Sequence, residues 1–172
     1  NGKDIMSNLS SEEILKQSGS NFIIQECVHQ SSQLSKLYPE SVNTFRIITY
    51  ICQGKVFHAP LSMRIGTGGS VIDNIHAGGM VIGITEEFKL REFAFTEMGD
   101  RFSKHPDTGK TFKGFYIPEL KTIVSVAERL DGYLPQIQMI SWDWTLDDSN
   151  MPVLIEINIS GQSIWFPQMV NG

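Results

Sequence analysis

Apolar and polar positions along this chain follow two periods, and the changeovers between them mark its elements. Ser41-Val42-Asn43-Thr44-Phe45-Arg46-Ile47-Ile48-Thr49-Tyr50-Ile51 is rich in β-branched and aromatic residues and predicts a long strand. Gln53-Gly54-Lys55 turns it back into Val56-Phe57-His58-Ala59, a hairpin. Strands are also predicted at Ser62 to Ile65 and Met80 to Ile84. A second hairpin spans Trp142 to Asn158, where two apolar runs flank the turn-forming cluster Asp147-Asp148-Ser149-Asn150. Leu120, Ile123, Val124, Ala127 and Leu130 instead recur at three- and four-residue steps, predicting an amphipathic helix that starts at Pro118 and stops at Asp131-Gly132. Ser10 and Glu13 are spaced as a capping box for an earlier helix running to Gln17. Phe22 to Glu26 reads as a strand, and Ser31 to Tyr38 as a short helix closed by Pro39. The sum is an α+β fold, mainly antiparallel sheet with packed helices.

Composition narrows the classes. With 172 residues, 41% of them hydrophobic, one compact domain is the natural count. A formal charge of −5 and a pI near 5.3 leave no basic footprint for nucleic acid. The apolar runs are strand-sized, so no membrane span is expected. Cys27 and Cys52 lie in apolar β-like runs without metal-ligand spacing and read as reduced core thiols of a cytoplasmic protein.

The chemistry concentrates in the second hairpin. Side chains two apart in a strand share a face, so Glu156 and Asn158 project together, while Val153, Ile155, Ile157 and Ile159 take the core side. Pairing across the turn brings Asp143 close to Glu156. Two carboxylates and an amide oxygen on one face are either the solvent face of a half-covered hairpin or a hard-oxygen site. Such a site suits Mg²⁺ bound partly through phosphates. Upstream, Asn43 and Arg46 interrupt an apolar run and therefore stand at a sheet edge or face a cleft. Arg64 runs into Gly66-Thr67-Gly68-Gly69. It is either a surface arginine or a bidentate grip for carboxylate or phosphate. That glycine loop lacks the lysine and following helix of a P-loop. His76 reads as neutral and structural, and His105 to Lys110 as the turn-rich tip of an insertion hairpin or part of an acceptor site.

Asp143 followed by Glu156-Ile157-Asn158 resembles the metal-binding signature of the ATP-grasp superfamily. Ser-Val-Asn-Thr-x-Arg at 41–46 and His-Pro-Asp-Thr-Gly at 105–109 resemble one branch of it, the sugar-transfer-associated ATP-grasp family. Asn74-x-His-x-Gly-Gly is similar to a motif of another branch, the ribosomal-protein glutamate ligases. The resemblance runs from about Phe22 to Gln162 and implies the C-terminal part of an ATP-grasp domain. It implies a ligase that uses ATP and Mg²⁺ to activate a carboxylate as an acylphosphate for attack by an amine or similar nucleophile. A setting in polysaccharide or cell-surface sugar biosynthesis goes with the branch. The partners implied are a small-molecule carboxylate and a nucleophilic acceptor. Carried over by position, Asp143, Glu156 and Asn158 would hold the metal. Gln25, Glu26 and Arg46 would contact the nucleotide, and Arg64 with Asn74 would stabilise the transferring group. The loop Ser160 to Ser163 would lie near phosphates or acceptor.

The family's earlier small subdomain, with its lysine and glycine-rich loop, would lie before Asn1, and Lys3 is given no role. Where the glutamate ligases carry an arginine before the Asn, this chain has Asp73. Where many relatives carry an arginine two positions before the metal Asp, it has Ser141. These departures motivate a second reading, a catalytically degenerate module that binds nucleotide or saccharide. A third reading is a β-rich structural domain whose hairpin polarity has no function.

Overall fold

The computed structural model describes residues 9–18 and 25–171. Phe22, Lys3 and the start of the strand expected at Phe22 to Glu26 lie outside them. Among the described residues, eight strands form one antiparallel sheet: β1 (Thr44–Cys52), β2 (Lys55–His58), β3 (Ser62–Ile65), β4 (Met80–Ile84), β5 (Leu90–Phe95), β6 (Arg101–Phe102), β7 (Met139–Leu146) and β8 (Pro152–Asn158). Their order is β6-β5-β4-β3-β1-β7-β8, with β2 also on β1. The helices are α1 (Ser11–Ser18), α2 (Ser32–Ser35), α3 (Leu120–Asp131) and α4 (Trp165–Asn171). The predicted capping box is present: Glu13 N donates to Ser10 Oγ, and Ser10 N to Glu13 Oε2. Both residues of the β1–β2 turn, Gln53 and Gly54, take positive φ, which suits the twist of a two-residue hairpin.

The pleat of β1 sorts the molecule into two layers. Phe45 and Ile47 join Met63, Ile65, Ile82, Trp142 and Trp144 in a core that Leu120, Ile123, Val124 and Ala127 of α3 complete. Thr44, Arg46 and Ile48 point to the other face. That face is covered in part by α4, through a smaller cluster of Ile75, Val81, Phe166 and Val170. Close approach there depends on Gly83, where a Cβ would meet Val170 O and Asn171 Oδ1 at 2.6 Å. Asn171 anchors the end of α4 by donating to Leu61 O and accepting from Arg91 Nε.

Three expectations are corrected. Gln25 and Glu26 are in no strand; they lie in an exposed segment without regular structure. Cys27 and Cys52 are exposed, because one belongs to that same segment and the other ends β1 beyond the cover of the core. In β8 a bulge interrupts the alternation: Asp143 pairs with Glu156 but Trp144 with Leu154, which leaves Ile155 as the extra residue. Leu154, not Val153, therefore opposes core Trp144, while Ile157 and Ile159 stay exposed at 44% and 60%. The 105–110 tip is a hairpin, as one of its two readings had it, closed by the antiparallel bridge between Lys104 and Thr111 and tied into the rest of the fold. Thr108 Oγ1 donates to Leu37 O, His105 bonds Gly66 O, and Asp107 Oδ2 accepts from Gly68 N. Burial pushes the His105 imidazole below its ordinary pKa against the pull of its bond to Gly66 O and of the Asp107 charge, and its Nδ1 accepts from Asp107 N while Nε2 meets Gly66 O, the pattern of a neutral ring.

Gly83→Ala should overpack the contact between β4 and α4 and lower stability by about 1–3 kcal/mol in urea denaturation. An unchanged midpoint would show that α4 does not seat on β4 as described.

Candidate functional site

Asp143 stands where three strands meet on the face opposite the core. Its direct neighbours across the sheet are Arg46 on β1 and Glu156 on β8. Directly paired residues share a face, so the hairpin does bring Asp143 and Glu156 together, as expected. Arg46 grips Asp143 with two parallel bonds, Nε to Oδ1 at 2.6 Å and Nη2 to Oδ2 at 3.0 Å. Arg64 adds a third contact, Nη2 to Oδ2 at 3.2 Å. Arg64 is in turn held by Thr44, whose Oγ1 accepts from Nε at 2.9 Å and itself donates a short bond to Asp73 Oδ2. Asp73 Oδ2 lies 3.5 Å from Arg64 Nε. Thr44, Arg46, Arg64, Asp73 and Asp143 thus form one network of two cations and two carboxylates. The Asp143 side chain is 1% exposed and that of Arg64 15%.

Charges this deep persist only where each is paired and hydrogen-bonded. Burial pushes the Asp73 carboxyl above the ordinary Asp range, and the nearby Asp143 carboxylate adds to this; Arg64 and the Thr44 hydroxyl pull the other way. Protonation of Asp73 would leave the network one positive charge in excess, which favours an incoming anion.

The polar loop Ser160 to Ser163 closes over one side. Gln162 O accepts from Ser141 Oγ at 3.0 Å and Arg46 Nη1 at 3.4 Å, and Arg46 sits over the Phe166 ring. Ser141, two positions before Asp143, therefore holds a strap. On the other side the face opens: Glu156 is exposed and Asn158 half-buried.

Among the candidates, Arg46, Arg64, Asp143 and Glu156 share this place on the sheet, with Asn158 one step along β8. Asn74 does not join the network; its Oδ1 caps the short 3-10 turn of residues 75–77 by accepting from His76 N at 3.1 Å. Gln25 and Glu26 are exposed, in a segment without regular structure. His76 is 60% exposed at the side chain and its Nδ1 lies 2.7 Å from Glu97 Oε1. Asn43 faces no cleft: fully buried, it ties Leu34 O and Tyr38 O to Gln30. Two members of the site, Thr44 and Asp73, were not singled out as site residues. The strand period does offer a signal for Thr44, which lies two positions before Arg46.

A Mg²⁺ fits part of this donor set. Glu156 and Asn158 are adjacent, reachable oxygen donors of the hard kind. Asp143 does not fit as it stands, since both its oxygens are taken by guanidinium groups out of solvent. Among the described residues no three His, Cys, Asp or Glu side chains converge as a metal site. No helix among them is long and apolar enough to cross a membrane.

A family model described as sugar-transfer associated ATP-grasp matches residues 3–172. No curated protein and no solved structure matches the chain.

Two outcomes follow from the network. Asp143→Asn should cost about 3–5 kcal/mol by leaving buried guanidinium charge uncompensated, whereas Arg46→Met with Asp143→Leu should cost much less, in paired denaturation curves. Equal losses would mean that the pair is not a buried ion pair. For Asp73 the folded pKa is the higher one, so the folded state binds the extra proton and this group's contribution to stability falls as pH rises through the window above the ordinary Asp value. Asp73→Asn should therefore gain on wild type from acid to neutral pH, and a constant difference would contradict it.

Proposed function

The chain belongs to the sugar-transfer associated ATP-grasp family, and from that membership we propose that it serves an ATP-dependent ligase. The reaction would join a carboxylate to an amine or similar nucleophile. A role in making polysaccharide or cell-surface sugar fits the family's description. The observation that carries the reading is the sheet face itself: two open oxygen donors, Glu156 and Asn158, beside a fixed pair of arginines. A Mg²⁺ held by Glu156 and Asn158 would draw charge from the ATP phosphates. Arg64, paired with Thr44, stands on the same face and would hydrogen-bond the phosphoryl group as its bond to the ADP oxygen breaks, ADP leaves, and the carboxylate oxygen takes it. The nucleophile then attacks the acyl carbon, and phosphate leaves with the electron pair of the C–O bond. Arg46 holds Asp143 and, through Gln162, the strap beside the acceptor. Gln25, Glu26 and Asn74 remain proposed contacts whose engagement would require the bound substrates.

Asp73 favours a second reading, a module that binds nucleotide without turning it over, because its carboxylate shares Arg64. The two part on whether ADP forms once nucleotide is bound.

A non-hydrolysable ATP analogue at 100 times its Kd should stabilise the full-length chain by about 2.7 kcal/mol, with Mg²⁺ present. Glu156→Gln should remove most of the Mg²⁺-dependent part. A rise that is the same without Mg²⁺, or indifferent to Glu156→Gln, would contradict the assignment.

A further inference from the structure

We infer that Asp143 is a positioning residue for Arg46 and Arg64, and that a metal on this face is held without it. The inference rests on the ligase reading above and departs from the ligand set that the sequence motif implies. A carboxylate offers about four lone-pair sites on two oxygens. Two of those at Asp143 accept from Arg46 nitrogens, at 2.6 and 3.0 Å, and the Arg64 guanidinium stands 3.2 Å from Oδ2 as an ion-pair contact. Mg²⁺ requires close, near-octahedral contact and gives up its waters reluctantly. To bind Asp143 it would have to enter a place closed to solvent and settle against two arginines, cation against cation. Glu156 and Asn158 carry no such conflict. The bulge at Ile155 lies immediately before Glu156 and sets its pairing with Asp143, so the exposed carboxylate stands beside the buried one.

The arginines gain what the metal does not. Arg46 is fixed by a two-point grip and by Gln162 O, and Arg64 by Asp143 on one side and Thr44 on the other. All three nitrogens of Arg46 are hydrogen-bonded, whereas Nη1 of Arg64 has no hydrogen-bond or ion-pair partner among the described residues. A guanidinium held at Nε and Nη2, with one nitrogen free, is aimed before the anion arrives. That arrangement loses little freedom on binding. Asp143 acts through that nitrogen.

The test is Mn²⁺ binding, followed by electron paramagnetic resonance, to the full-length chain with a non-hydrolysable ATP analogue. Wild type, Glu156→Gln, Asp143→Asn and the double variant Arg46→Met with Asp143→Leu are compared; the double variant keeps the test open if Asp143→Asn does not fold. Glu156→Gln should weaken Mn²⁺ by at least about tenfold, while the double variant stays close to wild type. With Mg²⁺ in place of Mn²⁺, the ³¹P resonance of the analogue's terminal phosphate should move in the double variant as it does in Arg64→Ala. That readout follows the aim of Arg64, not the fold. Loss of Mn²⁺ in the folded double variant equal to that in Glu156→Gln would overturn the inference and leave the ligase reading standing. Wild type that binds no Mn²⁺ with the analogue would overturn both.

Discussion

One buried carboxylate holds the functional face together. Asp143, on β7, is gripped by Arg46 from β1 and touched by Arg64 from β3, so a single charge ties three strands of the sheet. The ties continue outward. Arg64 reaches the Asp73 loop directly and through Thr44, and Arg46 reaches the Ser160 to Ser163 strap through Gln162. Neither loop is part of the sheet, yet each is referenced to it by an ion pair or a charge-assisted bond. Such a network brings little net stability, since desolvation offsets the attraction, but it is costly to break at one point. Its value here lies in fixing two guanidinium groups against a face that ligands can reach.

The two layers divide the work. The core side, with α3, buries most of the apolar surface and sets the pleat. The other side carries alternate residues of the same strands, so the packing that fixes Phe45 and Ile47 also fixes Thr44 and Arg46. Fold and site are therefore coupled through β1 itself. A shift of one residue in its pairing would exchange the two sets.

Much of this was legible in the sequence where the determinants are local. The capping box at Ser10 and Glu13, the turn at Gln53-Gly54 and the α3 stripe each depend on neighbours within a few positions. The pairing of Asp143 with Glu156 followed from the turn between them. The Arg46–Asp143 pair did not: its members are 97 residues apart, and no local pattern specifies that β1 lies beside β7. The same holds for the contacts of the 105–110 hairpin with Gly66, Gly68 and Leu37, which make it a brace for the glycine loop. The bulge at Ile155 was hidden because Val153, Leu154 and Ile155 are consecutive apolar residues, a run that fits either register.

The central claim is that the open end of this face, at Glu156 and Asn158, meets the metal-bound phosphates of ATP. The most direct measurement is paramagnetic broadening of the chain's NMR signals by Mn²⁺ with a non-hydrolysable ATP analogue. The account predicts the strongest broadening at Glu156 and Asn158, with Asp143 and Arg64 close behind and α3 little affected. Broadening centred on another surface, such as the open groove of Thr85, Glu87 and Lys113, would contradict it.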